Sequence, residues 1–159
     1  MMPGLEMFSL DGKVALVTGA AGQYGRQITE AIAGAGATTH IASRDMGKLD
    51  AFAAELREKG YDIRVLPLDL GKEETIASAL GAIEKQSGRL DVLVNNAVLR
   101  TAMIGWDHHL ADYDQSLHVN ASGLFFITNL AAKIMKRQKS GSIINIGSMM
   151  GIYESPKSR

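Results

Sequence analysis

Residues 14–25, VALVTGAAGQYG, join a short apolar run to a glycine-rich turn, and a helix-like pattern follows from Ile28. The apolar run has the length and composition of a buried strand. Glycines at such a turn let the backbone approach a phosphate closely, and the start of the next helix offers unpaired N–H groups. The stretch therefore predicts a strand–turn–helix unit that binds the pyrophosphate of a dinucleotide. An ordinary glycine-rich turn is the alternative.

The same alternation of apolar runs and helical patterns continues to the end of the chain. The later runs are 38–42, 63–68, 90–94 and 142–146. Short strands that alternate with helices are typical of a parallel sheet, and the right-handed crossover rule limits its topology. We therefore expect an α/β fold, a Rossmann-type doubly wound parallel sheet with strand order 3-2-1-4-5, in a single domain over residues 1–159.

The longest helical pattern covers about 111–136. The spacing of its apolar positions predicts one continuous helix. The residues expected to face the core are Leu117, Ala121, Leu124, Phe125, Thr128 and Ala132.

Composition narrows the classes of ligand. The 17 basic residues balance 17 acidic ones, so no net charge attracts nucleic acid or an anionic membrane. The chain has no cysteine, and its four histidines lack the supporting carboxylate pattern of a metal site. No apolar run reaches the roughly 20 residues that span a bilayer. We expect no secretory signal, because the first residues lack a basic region followed by an apolar stretch. We expect a cytoplasmic protein with a small-molecule ligand and with no metal, nucleic-acid or membrane partner.

Ligands of such sheets bind at the carboxyl ends of the strands, and several candidate residues lie there. Asp69 and Leu70 follow the third run, and the pair Asn95-Asn96 ends the fourth. Ser148 follows the fifth run. The ordinary alternatives are a helix cap for Asp69 and a strand-end turn for Ser148.

Asn120 lies inside the long helix, where asparagine is a mediocre helix former. Its position therefore needs a reason. The two candidates are a catalytic role and a buried amide bonded to the backbone.

Together these motifs resemble the short-chain dehydrogenase/reductase family, over nearly the whole chain. The residues that carry the resemblance are the glycine loop from Thr18 to Gly25, Asn95-Asn96-Ala97, Asn120 and Ser148. The glycine spacing leaves the branch open. Gln23 stands where the commoner branch has its middle glycine, whereas Gly19, Gly22 and Gly25 match the extended branch.

The resemblance implies hydride transfer between a nicotinamide dinucleotide and a carbonyl or secondary alcohol. Ser148 would hydrogen-bond the substrate oxygen, and Asn120 would hold a water in a proton relay. The implied cofactor contacts are Thr18, Gly19, Gly22, Gln23, Tyr24, Gly25, Ser43, Arg44, Asp69, Leu70, Asn96 and Ala97. Asp69 would accept from the adenine amino group, and Asn95 would tie neighbouring strands together. A homodimer or homotetramer is implied for the full-length form.

The end of the second strand bears on the choice of cofactor. An acidic residue there usually binds the ribose hydroxyls, and a basic residue accommodates a 2′-phosphate. Ser43 occupies the usual acidic position, and Arg44 follows it. This arrangement favours NADP. The alternative is NAD, with Asp45 on the ribose and Arg44 as a solvated charge.

The family's catalytic Tyr-x-x-x-Lys pair would follow the serine by about a dozen residues, which places it beyond Arg159. Tyr153 and Lys157 have the literal spacing, but Pro156 disfavours a helix there, so a loop tyrosine and a solvated lysine are expected. The resemblance thus predicts a C-terminally incomplete, inactive chain that lacks the last strands. Two other functions stay open, a non-catalytic dinucleotide-binding module and a nucleotide-sugar epimerase or dehydratase.

Overall fold

A computed structural model of the chain describes residues 6–101 and 109–148. A parallel five-stranded sheet in the order β3-β2-β1-β4-β5 forms the centre, as predicted. The strands are β1 Val14–Thr18, β2 Thr38–Ser43, β3 Ile63–Pro67, β4 Val92–Asn95 and β5 Ser142–Asn145. The helices are α1 Gln23–Gly34, α2 Met46–Glu58, α3 Glu73–Ser87, α4 Leu110–Leu117 and α5 Leu124–Gln138. A π-helical turn, His118–Gly123, joins α4 to α5, and a short 3-10 helix covers Glu6–Phe8.

Both faces of the sheet are covered by apolar helix surfaces. On one face, Val17 packs with the α2 residues Leu49 and Phe52. On the other face, Leu16 packs with Ile83 of α3, and α5 adds to the same cluster. Successive strand residues point to opposite faces, so the four residues from Val14 to Val17 are all apolar and serve both layers.

The edge strand β5 is less buried than the central strands β1 and β4. All residues of β1 and β4 are buried, whereas three of the four residues of β5 are exposed. Within the described residues β5 pairs only with β4, and Ile144 remains 44% exposed. β5 is therefore the exposed edge of the described part of the sheet.

The long helix is also not continuous. The π-helical turn interrupts it, and a constant helical period drawn through such a turn reaches the wrong face. Three residues that we expected to face the core are exposed: Leu117 by 47%, Phe125 by 69%, and Ala121. The buried residues of this region are instead Val119, Gly123, Ile127, Ala131, Ile134 and Met135.

No helix in residues 6–101 and 109–148 has both the length and the apolar character needed to cross a membrane.

Candidate dinucleotide-binding and active site

The candidate residues collect at the carboxyl edge of the sheet. The loop after β1 is joined to the end of β2, because the Gly19 N–H donates to the Ala42 carbonyl at 2.8 Å. The end of β3 is joined to β2 by a bond from the Leu68 N–H to the Ser43 carbonyl at 3.1 Å. Neighbouring strand ends thus form one continuous rim, which is where ligands bind in open α/β sheets.

Two positions of the loop after β1 accept only glycine, because a Cβ there would clash with backbone atoms. Gly19 has φ +64°, and a Cβ there would lie 2.8 Å from the Ala97 Cα. A Cβ at Gly25 would lie 2.2 Å from the Gly19 carbonyl oxygen. Only glycine allows this tight passage from β1 into α1 and the close approach of the loop to the end of β4.

The start of α1 offers an anion-binding site. Gly22 is its N-cap and supplies no side-chain acceptor, and the first turn has no acidic residue. The first N–H groups of such a helix lack partners within the helix and carry partial positive charge. Gln23 and Tyr24 are exposed on this turn. This geometry fits the pyrophosphate of a dinucleotide.

Thr18 and Asn96 hold the loop against β4. The buried Thr18 hydroxyl donates to the Val94 carbonyl at 3.2 Å and accepts from the N–H groups of Asn96 and Ala97 at 3.0 and 3.1 Å. In return, the Asn96 amide donates to the carbonyls of Thr18 and Gly19 at 3.0 and 3.1 Å. We therefore expect the Thr18 side chain to act on a cofactor through the loop, since the residue has no exposed surface.

Asn95 lies one residue earlier and is 4% exposed. Its amide group donates to the Asn145 side chain at 2.9 Å and to the Thr128 hydroxyl at 3.0 Å. It therefore ties β4 to β5 and to α5, in agreement with the role that the resemblance implies. Two successive asparagines thus perform different tasks, one towards β5 and one towards β1.

At the end of β2, Arg44 and Asp45 have different environments. Asp45 is the N-cap of α2: its carboxylate accepts from the Lys48 N–H at 3.1 Å and forms an ion pair with Lys48 Nζ at 3.1 Å. These bonds, the backbone bond foremost, lower the pKa of Asp45. Arg44 is exposed and has no hydrogen bond or ion pair with any described residue. The Ser43 hydroxyl accepts from the Asp45 N–H at 3.4 Å.

At the end of β3, Asp69 shapes the turn into α3. Its Oδ1 accepts from the Gly71 N–H at 3.0 Å, whereas the N-cap of α3 is Lys72. The helix-cap alternative is therefore wrong, since the carboxylate bonds two residues onward as in an Asx turn. Asp69 Oδ2 has no hydrogen bond within the described residues. Leu70, the next residue, is buried.

Asn120 forms the backbone-bonded amide that the sequence left as an alternative. Its Oδ1 accepts from the Leu99 N–H at 2.7 Å, and its amide donates to the Leu99 carbonyl at 2.7 Å. A further bond joins the amide to the Ser116 hydroxyl at 3.1 Å. The side chain thus holds the segment after β4 against the π-helical turn.

The remaining catalytic candidates lie at or past β5. Ser148 is exposed three residues beyond the end of this strand. Tyr153 and Lys157 lie outside the described residues. In the part of the chain that the structure describes, no cluster of His, Asp or Glu residues could hold a metal ion.

Sequence reasoning missed two residues at this edge. The His118 imidazole bonds the Gly71 carbonyl at 2.9 Å, and a Cβ at Gly123 would lie 2.0 Å from the Leu70 carbonyl oxygen. A glycine within a helical pattern signals a close backbone approach, so Gly123 was detectable. Nothing local marks His118, because its partner is 47 residues away in the sequence.

Known proteins resemble this chain in sequence and in fold. Residues 13–158 match the short chain dehydrogenase family. The 3-oxoacyl-[acyl-carrier-protein] reductase FabG of Thermotoga maritima is 32% identical over 147 residues, which cover 92% of this chain and 60% of that protein. The chain spans 53% to 60% of the length of eight such curated relatives.

Two solved structures illustrate the likeness in three dimensions. A metagenomic short-chain oxidoreductase in complex with NADP has a TM-score of 0.81 and 32% identity, with 92% of this chain and 66% of that chain covered. An NAD+-bound xylitol dehydrogenase has a TM-score of 0.84 and 28% identity, with 92% and 57% covered. Because the family match covers residues 13–158, the chain belongs to the short chain dehydrogenase family.

Proposed function

We propose that this chain is the dinucleotide-binding part, one domain over residues 1–159, of an NAD(P)-dependent oxidoreductase that interconverts a small carbonyl compound and a secondary alcohol. The observation that carries the proposal is the passage from β1 into α1, where Gly19 and Gly25 allow a tight glycine turn that leads into a helix start without a side-chain cap. When bound, the nicotinamide of such a dinucleotide would supply the hydride chemistry. The chain's contribution is to bind and orient it.

The cofactor proposed for this site is NADP. Arg44 is exposed and has no partner among the described residues, so its guanidinium is available to a 2′-phosphate. Asp45 already caps α2 and pairs with Lys48, which argues against the NAD alternative in which Asp45 holds the ribose. The Ser43 hydroxyl lies beside Arg44 and offers a second polar contact.

For the reaction itself we propose Ser148 as the group that hydrogen-bonds the substrate oxygen and stabilises charge developing on it. Both N–H donors of the Asn120 amide are used, on the Leu99 carbonyl and the Ser116 hydroxyl, and its oxygen accepts from the Leu99 N–H. Its side chain would therefore serve catalysis by holding the segment that follows Asn96 and Ala97. Since the chain spans about 60% of a relative's length, we propose that these 159 residues bind the cofactor without turnover.

We also propose that the full-length form is a homodimer or homotetramer in the cytoplasm. The exposed apolar side chains of α4 and α5, among them Tyr113, Leu117 and Phe125, support self-association. Light scattering coupled to gel filtration measures the oligomeric state. A monomer at micromolar concentration for the complete gene product would contradict the proposal.

The function is tested on the 159-residue chain and the complete gene product side by side. NADPH binding is measured by titration calorimetry, and turnover is measured with a panel of ketones and, separately, of nucleotide sugars. We expect binding by both proteins and ketone reduction by the complete one alone. Binding without any turnover by the complete protein would indicate a non-catalytic module. Turnover of nucleotide sugars would indicate an epimerase or dehydratase, and absence of binding would refute the proposal.

A further inference from the structure

The turn between β3 and α3 is held from outside by the π-helical turn. The His118 imidazole forms a hydrogen bond to the Gly71 carbonyl, with 2.9 Å between Nε2 and the oxygen. A carbonyl oxygen only accepts, so Nε2 carries the proton and donates it. His118 is exposed, and this is the only hydrogen bond that its side chain forms within the described residues.

The other backbone polar group of Gly71 is also occupied. Its N–H donates to Asp69 Oδ1 at 3.0 Å. The position of Gly71 therefore determines where the Asp69 carboxylate lies, and His118 in turn restrains Gly71. The Asp69 oxygen that this arrangement leaves without a partner among the described residues is Oδ2.

The backbone of the π-helical turn adds a second restraint. Gly123 packs so closely on Leu70 that a Cβ would lie 2.0 Å from the Leu70 carbonyl oxygen. Ordinary side chains are excluded from this contact, so it sets the distance between the two segments. The two successive carbonyls, Leu70 and Gly71, are thus located by the same π-helical turn, one by packing and one by a hydrogen bond.

We infer that His118 is a positioning residue for the adenine end of the dinucleotide site. This inference rests on the proposed function, in which Asp69 accepts from the adenine amino group and Leu70 frames the ring. In the proposed arrangement His118 does not contact the adenine. It keeps the Gly71 carbonyl in place, so that the free oxygen of Asp69 faces the amino group before the ligand arrives, which lowers the ordering cost of binding.

The test separates the two halves of the cofactor. Adenosine 2′,5′-bisphosphate and nicotinamide mononucleotide are titrated by NMR into wild type, His118→Ala, His118→Gln and a control, Gln115→Ala. Gln115 is an exposed residue of α4 without a hydrogen-bonded side chain among the described residues. The glutamine at 118 retains an N–H donor at about the distance of Nε2 from the backbone.

We expect His118→Ala to weaken adenosine 2′,5′-bisphosphate binding by about three- to tenfold, the effect of one lost hydrogen bond. His118→Gln should restore most of the affinity, and nicotinamide mononucleotide should bind all four proteins alike. Unchanged bisphosphate affinity in His118→Ala, or an equal loss for both ligands, would overturn the inference. If wild type bound neither the bisphosphate nor NADPH, the proposed function itself would fail.

Discussion

The side chain of Asn120 pairs with both backbone groups of Leu99, in two hydrogen bonds of 2.7 Å each. This pairing resembles that between two neighbouring strands, with a helix side chain in place of one strand. Leu99 is 9% exposed and packs with Val119 and Ile127 in the core. The pairing therefore connects the segment after β4 to the π-helical turn at a buried point.

Replacement of Asn120 by alanine should destabilise the fold. The substitution leaves the nearly buried Leu99 N–H and carbonyl without partners, so we expect the free energy of unfolding to fall by about 1–3 kcal/mol in urea denaturation. Ser122→Ala, at an exposed position of the same π-helical turn, should change it by less than about 0.5 kcal/mol. Equal effects of the two substitutions would show that the pairing with Leu99 contributes little.

Arg44 should determine the preference between NADPH and NADH. Loss of a charge-assisted bond to phosphate corresponds to about ten- to hundredfold in affinity. We therefore expect Arg44→Ala to weaken NADPH binding by that factor and to leave NADH within about twofold, as measured by calorimetry. The NADPH affinity of Arg44→Lys should lie between those of wild type and Arg44→Ala, because lysine keeps the charge without the bidentate geometry. A parallel loss for both cofactors would mean that Arg44 does not contact the 2′-phosphate.

A pair of glycine substitutions separates steric need from helix propensity. Gly25→Ala places a Cβ 2.2 Å from the Gly19 carbonyl oxygen, so the phosphate loop must shift. We expect a loss of about 1–3 kcal/mol of stability and of measurable NADPH binding. Gly81→Ala, in α3 with no atom within 4 Å of the new Cβ, should stabilise by about 0.5–1 kcal/mol. NADPH binding by Gly25→Ala at wild-type strength would argue against the loop as the pyrophosphate site.

Stability should fall in mild acid because of His40. Its burial, together with the positive charge of Arg64, lowers the pKa of His40 to about 4, with Asp62 opposing. The unfolded chain takes up a proton on His40 below about pH 6.5, where the folded state does not. The contribution of neutral His40 to the free energy of unfolding is therefore intact above pH 6.5. It decreases as the pH falls towards 4, by up to about 3 kcal/mol.

The comparison protein for this effect is His40→Gln, which does not titrate and can still bond Ser87, the partner of His40 at 3.3 Å. Urea denaturation at several pH values between 7.5 and 4.5 measures both proteins. The carboxylates are common to both, so the difference in slope isolates His40. Parallel curves would show that His40 is protonated as easily in the folded state as in the unfolded one.

The sequence predicted the features that depend on neighbours in the chain. Residues 14–25 indicated the strand, turn and helix because apolar periodicity and glycine conformations act over a few residues. The sheet order was predicted from the crossovers and their handedness. The observed order confirms this prediction and the Rossmann-type fold. The same local rule was wrong for Leu117 and Phe125, because a π-helical turn lies between them and a single helical period cannot describe both sides of that turn.

Only the tertiary structure decided which candidate side chains act through the backbone of another segment. The bonds from Asn96 to Thr18, from Leu99 to Asn120 and from His118 to Gly71 span 78, 21 and 47 residues of sequence. Hydrogen bonds require partners within about 3.2 Å and in good alignment, and the packing of helices on the sheet sets those positions. The sequence by itself thus determined the dinucleotide fold and its glycine loop, whereas packing decided how Thr18, Asn120 and His118 support that loop and its rim.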